Sequence, residues 1–364
     1  MPKKRRARSR SLTPAARTGP RVSGTKQPVA RMVTPGQLAA AVPLLLGFLP
    51  TESLVVLCGH EPRGRIGLSF RLDLPSPDHV GAAAAVADLV ESHVRHDGAT
   101  RFSLLLFSDE PGHLPRAALV DVVRERFPDL REMEVLHVRD GRWWSYACSR
   151  PCCPAEGTPV SEDQDSPPVT LLAAEKVLRG EVVAGSREQL AATLAGPTFL
   201  EAQVAGQRCR DAAALVGELF AVNGPATTHR ILAELWDEAV ARFAAPPADL
   251  DRHEAALLAM SLTAGAVRDH LTSVPEDERP AALAVLAELM RRTPAPMDAA
   301  VCAAYGWLTY LQGGGALASI AAERALASDP THSLVRLLDE ALTRVVPPHV
   351  LRDLIDRNRA RLTA

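Results

Sequence analysis

The sequence predicts an α/β domain, a mixed sheet of about five strands with flanking helices, followed by an all-helical domain, either a bundle or tetratricopeptide-like. Three observations carry this. Apolar runs of strand length alternate with helical spacing up to about residue 148, and helical spacing alone fills the chain beyond about residue 200. A chain of 364 residues is also too long for one ordinary core. The expected parts are a disordered basic tail (1–31), the α/β domain (32–200) and the helical domain (201–364).

Residues 1–31 hold ten Lys and Arg and no acid, among many Pro, Gly and Ser, so they cannot bury enough surface to fold alone. Removing those ten from the 41 basic residues leaves 31 against 43 acidic ones, a net charge of −12 on the rest. An acidic body argues against a nucleic-acid-binding core, because phosphate neutralisation supplies much of such affinity; only the tail suits that role. Three readings of the tail stay open: a start placed upstream of Met32, a tether to nucleic acid or the ribosome, and a solubilising extension.

Order begins at "TPGQLAAAVP", where Thr34 caps a helix, Pro35 suits its first position and Gln37 completes a capping box. Pro43 is expected to limit that helix. The apolar run Leu38 to Leu49 imitates a secretory signal behind its basic leader. It is too short to span a bilayer, is broken by Pro43 and lacks a small-x-small cleavage site. No membrane segment is expected. Cys58, Cys209 and Cys302 are scattered through apolar segments instead of forming a disulfide framework, which fits a reducing cytoplasm.

"SLVVLCG" and "RIGLSFRLDLP" form a hairpin about "HEPRG". "SPDHVGAAAAVADLVESHVRH" has helical spacing, and "RFSLLLFSD" is apolar throughout, as in a strand covered on both faces. "LPRAALVDVVRERF" is an amphipathic helix. "EMEVLHV" and "RWWSYAC" flank Asp140-Gly141, a favoured hairpin turn because both residues tolerate positive φ. The acidic "EGTPVSEDQDSPP" reads as a surface loop, and two helices follow, the second with a Ser186 to Gln189 capping box. Segments 201–221, 227–243, 251–271, 278–292, 297–311, 315–328, 331–344 and 348–361 carry helical spacing, with breaks at Pro or Gly such as Pro225 and Gly313-Gly314-Gly315.

With "LLGFLPTESLVVL", "RLDLP", "VRDGRWWSYAC", "CCPAEGTPV", "VRD" at 267–269 and "YLQGGGALASIAAERAL" in this order, the chain resembles the actinobacterial domain of unknown function 4192 from about Val33 to Pro348. The resemblance implies a cytoplasmic bacterial protein without an assigned reaction, and it supplies no catalytic residues. Gln312-Gly313-Gly314-Gly315 stands where the pattern expects Gly, a polar residue and Gly.

The densest chemistry lies at Cys148, Cys152 and Cys153. Zinc takes four ligands, commonly from paired Cys-x₂₋₄-Cys knuckles; Cys148 and Cys152 have that spacing, and His137 across the hairpin, or His60 or His113 on expected loops, could add a nitrogen. No second knuckle exists, so zinc is an alternative to the expected absence of a cofactor. An activated thiol needs a base and a lowered pKa, and no such signature surrounds these residues. The third reading is a packed turn of small buried thiols. Strand alternation puts Trp143, Ser145 and Ala147 on one face, and Trp144, Tyr146 and Cys148 on the other. An exposed ring among Trp143, Trp144 and Tyr146 would form a stacking platform. Arg71 and Asp73 share a strand face where ligands bind in α/β folds, and Arg268 and Asp269 form a second charged pair. The leading expectation is a non-catalytic ligand- or protein-binding protein whose helical domain recruits a protein partner. The alternatives are a metal- or thiol-dependent enzyme at the cysteines and nucleic-acid association through the tail.

Overall fold

The computed structural model describes residues 30–362 except 63, 77–80, 113, 149–152, 179–180 and 246. Residues 1–29 of the tail expected to be disordered, and Cys152, lie outside the described residues. Helix α1 (Pro35–Leu46) starts as its residues dictate: the Gln37 N–H donates to Thr34 Oγ1 at 3.1 Å, and the Val33 N–H donates to Gln37 Oε1 at 2.8 Å. Pro43 does not end it. The proline forfeits its own N–H bond and crowds the carbonyl one turn back, yet the helix runs three residues further to Gly47, whose φ of 82° suits a residue without Cβ.

The strands are β1 (Ser53–His60) and β2 (Arg65–Asp73); helix α2 (Ala82–Asp97), β3 (Arg101–Phe107), helix α3 (Ala117–Arg124), β4 (Arg131–Arg139), β5 (Arg142–Ser145) and β6 (Thr158–Pro159) follow. They form one six-stranded sheet in the order β2-β1-β3-β4-β5-β6, in which only the β3–β4 pair is parallel. The parallel pair needs a crossover, which α3 supplies. The sixth strand is a correction to the expected loop: Thr158 pairs with Trp143, and two residues are too few to show any alternation. Strand β5 is also shorter than "RWWSYAC", although the Tyr146 N–H still donates to Val135 O at 2.9 Å. Asp140 and Gly141 both take positive φ, 49° and 68°, as the β4–β5 turn requires.

Alternation gives the sheet two buried faces. Val56, Cys58, Leu104, Leu106 and Val135 pack against Val90 and Val94 of α2 and Val120 and Val123 of α3. Val55, Leu57, Leu105, Leu136 and Trp143 pack against Leu38 and Val42 of α1. The continuous apolar run of β3 is thus explained by cover on both sides.

Helices α4 (Ser161–Gln164), α5 (Pro167–Leu178) and α6 (Arg187–Ala192) lead to α7 (Phe199–Phe243), α8 (Arg252–Ser261), α9 (Gly265–Thr272), α10 (Arg279–Arg292), α11 (Ala299–Leu311), α12 (Gly315–Ser328), α13 (Ser333–Thr343) and α14 (Pro348–Leu362). Helix α7 joins two expected segments across a bend at Gly224, whose φ of 72° and ψ of 169° belong to glycine. The Thr228 hydroxyl donates to Leu219 O at 2.8 Å, a contact that a straight helix would spread over about 13 Å of rise. The expected 251–271 helix divides into α8 and α9 at residues 262–264, where no Pro or Gly announces a break. Every residue of α11 is buried, so this helix is the axis around which the others pack.

Arg324 ties several of these segments together. Its Nε donates to Asp298 at 2.6 Å, and its terminal nitrogens reach the carbonyls of Leu194 at 2.5 Å, Met290 at 2.8 Å and Thr293 at 3.2 Å. Ser328 Oγ completes the Asp298 carboxylate at 2.6 Å. Nearby, Phe48, Leu190 and Ile320 form a small apolar cluster, and Phe48 bridges to Ala184 in parallel fashion. No described helix is long and apolar enough to cross a membrane.

Candidate functional site

The carboxyl end of the parallel β3–β4 pair is where an α/β sheet commonly binds ligands. Here the polar groups hold the loop at 108–116. The Glu52 carboxylate accepts from Ser108 Oγ at 3.2 Å and from the Asp109 N–H at 2.7 Å. Arg139 donates to Glu110 O at 2.6 Å, and Arg116 donates to Glu110 Oε1 at 2.6 Å and to Pro75 O at 2.8 Å. His137 is fully buried, with Nε2 3.0 Å from Ser108 O and its ring stacked on Trp144 at 5.2 Å. Arg139 lies 5.3 Å from the centre of the Trp144 ring, whose N–H donates to Ala155 O at 2.9 Å. Tyr146 donates its hydroxyl to Pro115 O, and burial, aided by the charges of Glu110 and Asp121, pushes its pKa well up.

Strand alternation therefore brings His137, Trp144 and Tyr146 together and sends Trp143 to the α1 side, as their spacing predicts. Both indoles are buried, so neither ring offers an open stacking face. Arg71 pairs with Asp73 and donates Nε to Ser53 Oγ at 2.7 Å; Asp73 itself is 81% exposed. Arg268 stands 3.9 Å from Asp269, and burial followed by the charge of Arg268 lowers the pKa of His332. Cys148 and Cys153 are half-buried. Among the described residues no group of three or more His, Cys, Asp or Glu could hold a metal ion.

One cluster escaped sequence reasoning. Cys58 and His60 stand two apart on β1, and Asp97 at the end of α2 comes between them. His60 Nε2 is 2.8 Å from Asp97 Oδ2, close enough for an ion pair but off the axis of a hydrogen bond. Burial, then the charge of Asp97, pushes the Cys58 thiol far above its ordinary range, which is the reverse of an activated nucleophile. Gly67 makes room: a Cβ there would lie 2.5 Å from His60 Nε2. The sequence signal was the alternation in "CGH", which gives no hint of a carboxylate arriving from a helix.

The helical part presents a different surface. At the start of α7, Phe199 is 78% exposed, Leu200 75% and Val204 53%. A capping box fixes this helix end, with the Thr198 N–H donating to Glu201 at 3.0 Å. The exposed side chains form a ridge between two clefts. One, of about 1010 Å³, lies between Leu200, Val204 and Arg208 on α7 and residues 249–253 and 291–293; the other, of about 480 Å³, lies between Phe199 and residues 294–297. The stretch "GPTFLEAQ" sits at the expected domain boundary, where apolar residues read as the start of a packed helix.

Sheet, helices and ridge together define a protein of mixed α/β fold extended by a long helical region that carries an exposed apolar face. The chain belongs to the family described as domain of unknown function DUF4192, which matches residues 35–349. No curated protein and no solved structure matches the chain significantly.

Proposed function

We propose that this protein is a non-catalytic binding protein that engages a protein partner through the first turns of α7. The observation that carries the reading is the ridge of Phe199, Leu200 and Val204 held up between two clefts. Contiguous exposed apolar side chains rimmed by polar ones are a common mark of protein interaction sites, and an aromatic residue beside clefts is a typical anchor. The polar residues at the sheet end support the same reading, because their hydrogen bonds are directed into their own loop. A reducing cytoplasm is the compartment assumed, in keeping with the buried, scattered thiols of Cys58, Cys209 and Cys302.

The test is a photo-crosslinking side chain at Leu200 or Val204 in the native cell, with Glu234 on the other arm of α7 as the control position. A crosslinked protein seen from the ridge and absent from the control is expected. Equal capture from both positions, or none from the ridge, would sink the reading.

A further inference from the structure

We infer that the larger cleft beside α7 takes an acidic amphipathic segment of the partner, with apolar side chains against Leu200 and Val204 and carboxylates on Arg208 and Arg252; this rests on the binding role proposed above. The argument is one of charge left over after internal pairing. The cleft is lined by Arg208, Arg252, Arg291 and Arg292, in a body whose net charge from residue 32 onward is −12. Its acids are already committed. Glu201 completes the α7 capping box, accepting from Thr198 Oγ1 at 2.7 Å, and this holds its own pKa down. Asp251 caps α8, accepting from the His253 N–H at 2.7 Å and the Glu254 N–H at 3.0 Å, which lowers its pKa likewise. Asp249 is taken by Arg292 at 2.9 Å, and Glu288 by both Arg291 at 2.6 Å and Arg292 at 2.5 Å.

Arg208 and Arg252 form no direct ion pair among the described residues, although the charge of Arg208 reaches Asp251 and contributes to lowering its pKa. Two guanidinium groups therefore face the cleft next to exposed Leu200 and Val204. A segment that is apolar alone would leave both charges without partners, and a basic one would be repelled. Carboxylates spaced beside apolar residues satisfy both halves of the surface, with charge complementarity setting partner choice and on-rate.

The experiment selects binders to the full-length protein from a random 16-residue peptide display library, then measures the enriched peptides against two variants. Arg208→Gln with Arg252→Gln removes the charges, and Leu200→Ser with Val204→Ser removes the apolar wall; unchanged thermal unfolding verifies the fold of each. The expected result is enrichment of peptides alternating Asp or Glu with large apolar residues. Their affinity should fall about tenfold or more in the charge variant and weaken less steeply with added salt there than in the parent protein. Enriched peptides that need Leu200 and Val204 yet lack acidic residues, or that ignore the charge variant, would overturn the acidic partner and leave the ridge as an interface. Peptides indifferent to both variants, or no enrichment at all, would overturn the inference and the binding role together.

Discussion

Replacing Arg324 with alanine removes the only cation paired with Asp298 among the described residues, and the Asp298 side chain is 1% exposed. Deleting one member of a buried pair leaves an uncompensated charge, which costs about 3–5 kcal/mol. The carbonyls of Leu194, Met290 and Thr293 lose a donor as well, although Arg324 is itself 22% exposed, so water can replace part of what they lose. The loss in unfolding free energy is therefore expected at about 4 kcal/mol, a fall in Tm on the order of 8 °C for a chain of this size. Chemical denaturation followed by helical circular dichroism measures it. Asp298→Asn alone should cost less, since the amide keeps the Ser328 bond, and the double variant should lose less than the two single losses added together. A cost below about 1 kcal/mol for Arg324→Ala, or strict additivity in the double variant, would refute the view of Arg324 as a tie that shields a buried carboxylate.

Three further outcomes follow from the same geometry. Gly67→Ala should cost about 0.5–1.5 kcal/mol because the added methyl turns the tip of the half-exposed His60 ring off its position, and His60→Ala in the same chain should restore most of that in a urea titration. His93 and His332 have lowered pKa values, so the unfolded chain binds more protons than the fold as pH falls through the ordinary imidazole value of 6.5. Stability should then decline between about pH 7 and 5, and replacing either histidine with Gln should flatten the slope of urea midpoint against pH. Native thiol labelling at pH 8 should leave Cys58, Cys209 and Cys302 unmodified until the chain unfolds, as read by mass spectrometry of the peptides; rapid labelling of Cys58 would contradict its burial.

Local chemistry was legible in the sequence and tertiary meetings were not. Thr34 and Ser186 announced their caps because a hydroxyl three residues before a helical N–H forms that bond with no outside help, and both bonds are present at 3.1 and 3.2 Å. Asp140-Gly141 announced the hairpin through its positive φ values. Strand β6 carried no signal, since its pairing with β5 depends on a loop that returns from Cys153 onward. The Arg324 tie, the Cys58–Asp97–His60 row and the ridge share a further difficulty. Each joins residues that are ordinary in their own segment, and only the packing of distant helices and strands gives them a role.

The stretch from residue 184 to residue 198 does more than connect. Ala184 pairs with Phe48, Leu190 packs with Phe48 and Ile320, Arg187 reaches Glu323 at 2.5 Å, and the carbonyl of Leu194 takes a hydrogen bond from Arg324. Each of those contacts reaches from this stretch to α1's exit or to α12, so the seam is sewn by parts far apart in the gene. A fragment ending at residue 198 would uncover the apolar side of Leu190 and strand a guanidinium. A fragment beginning at residue 199 would start without the threonine that caps α7 and would expose Ile320. The two parts are thus poor candidates for independent inheritance. A shuffled gene carrying either one alone would inherit a sticky, unpaired edge, which favours passing the pair on as a single unit.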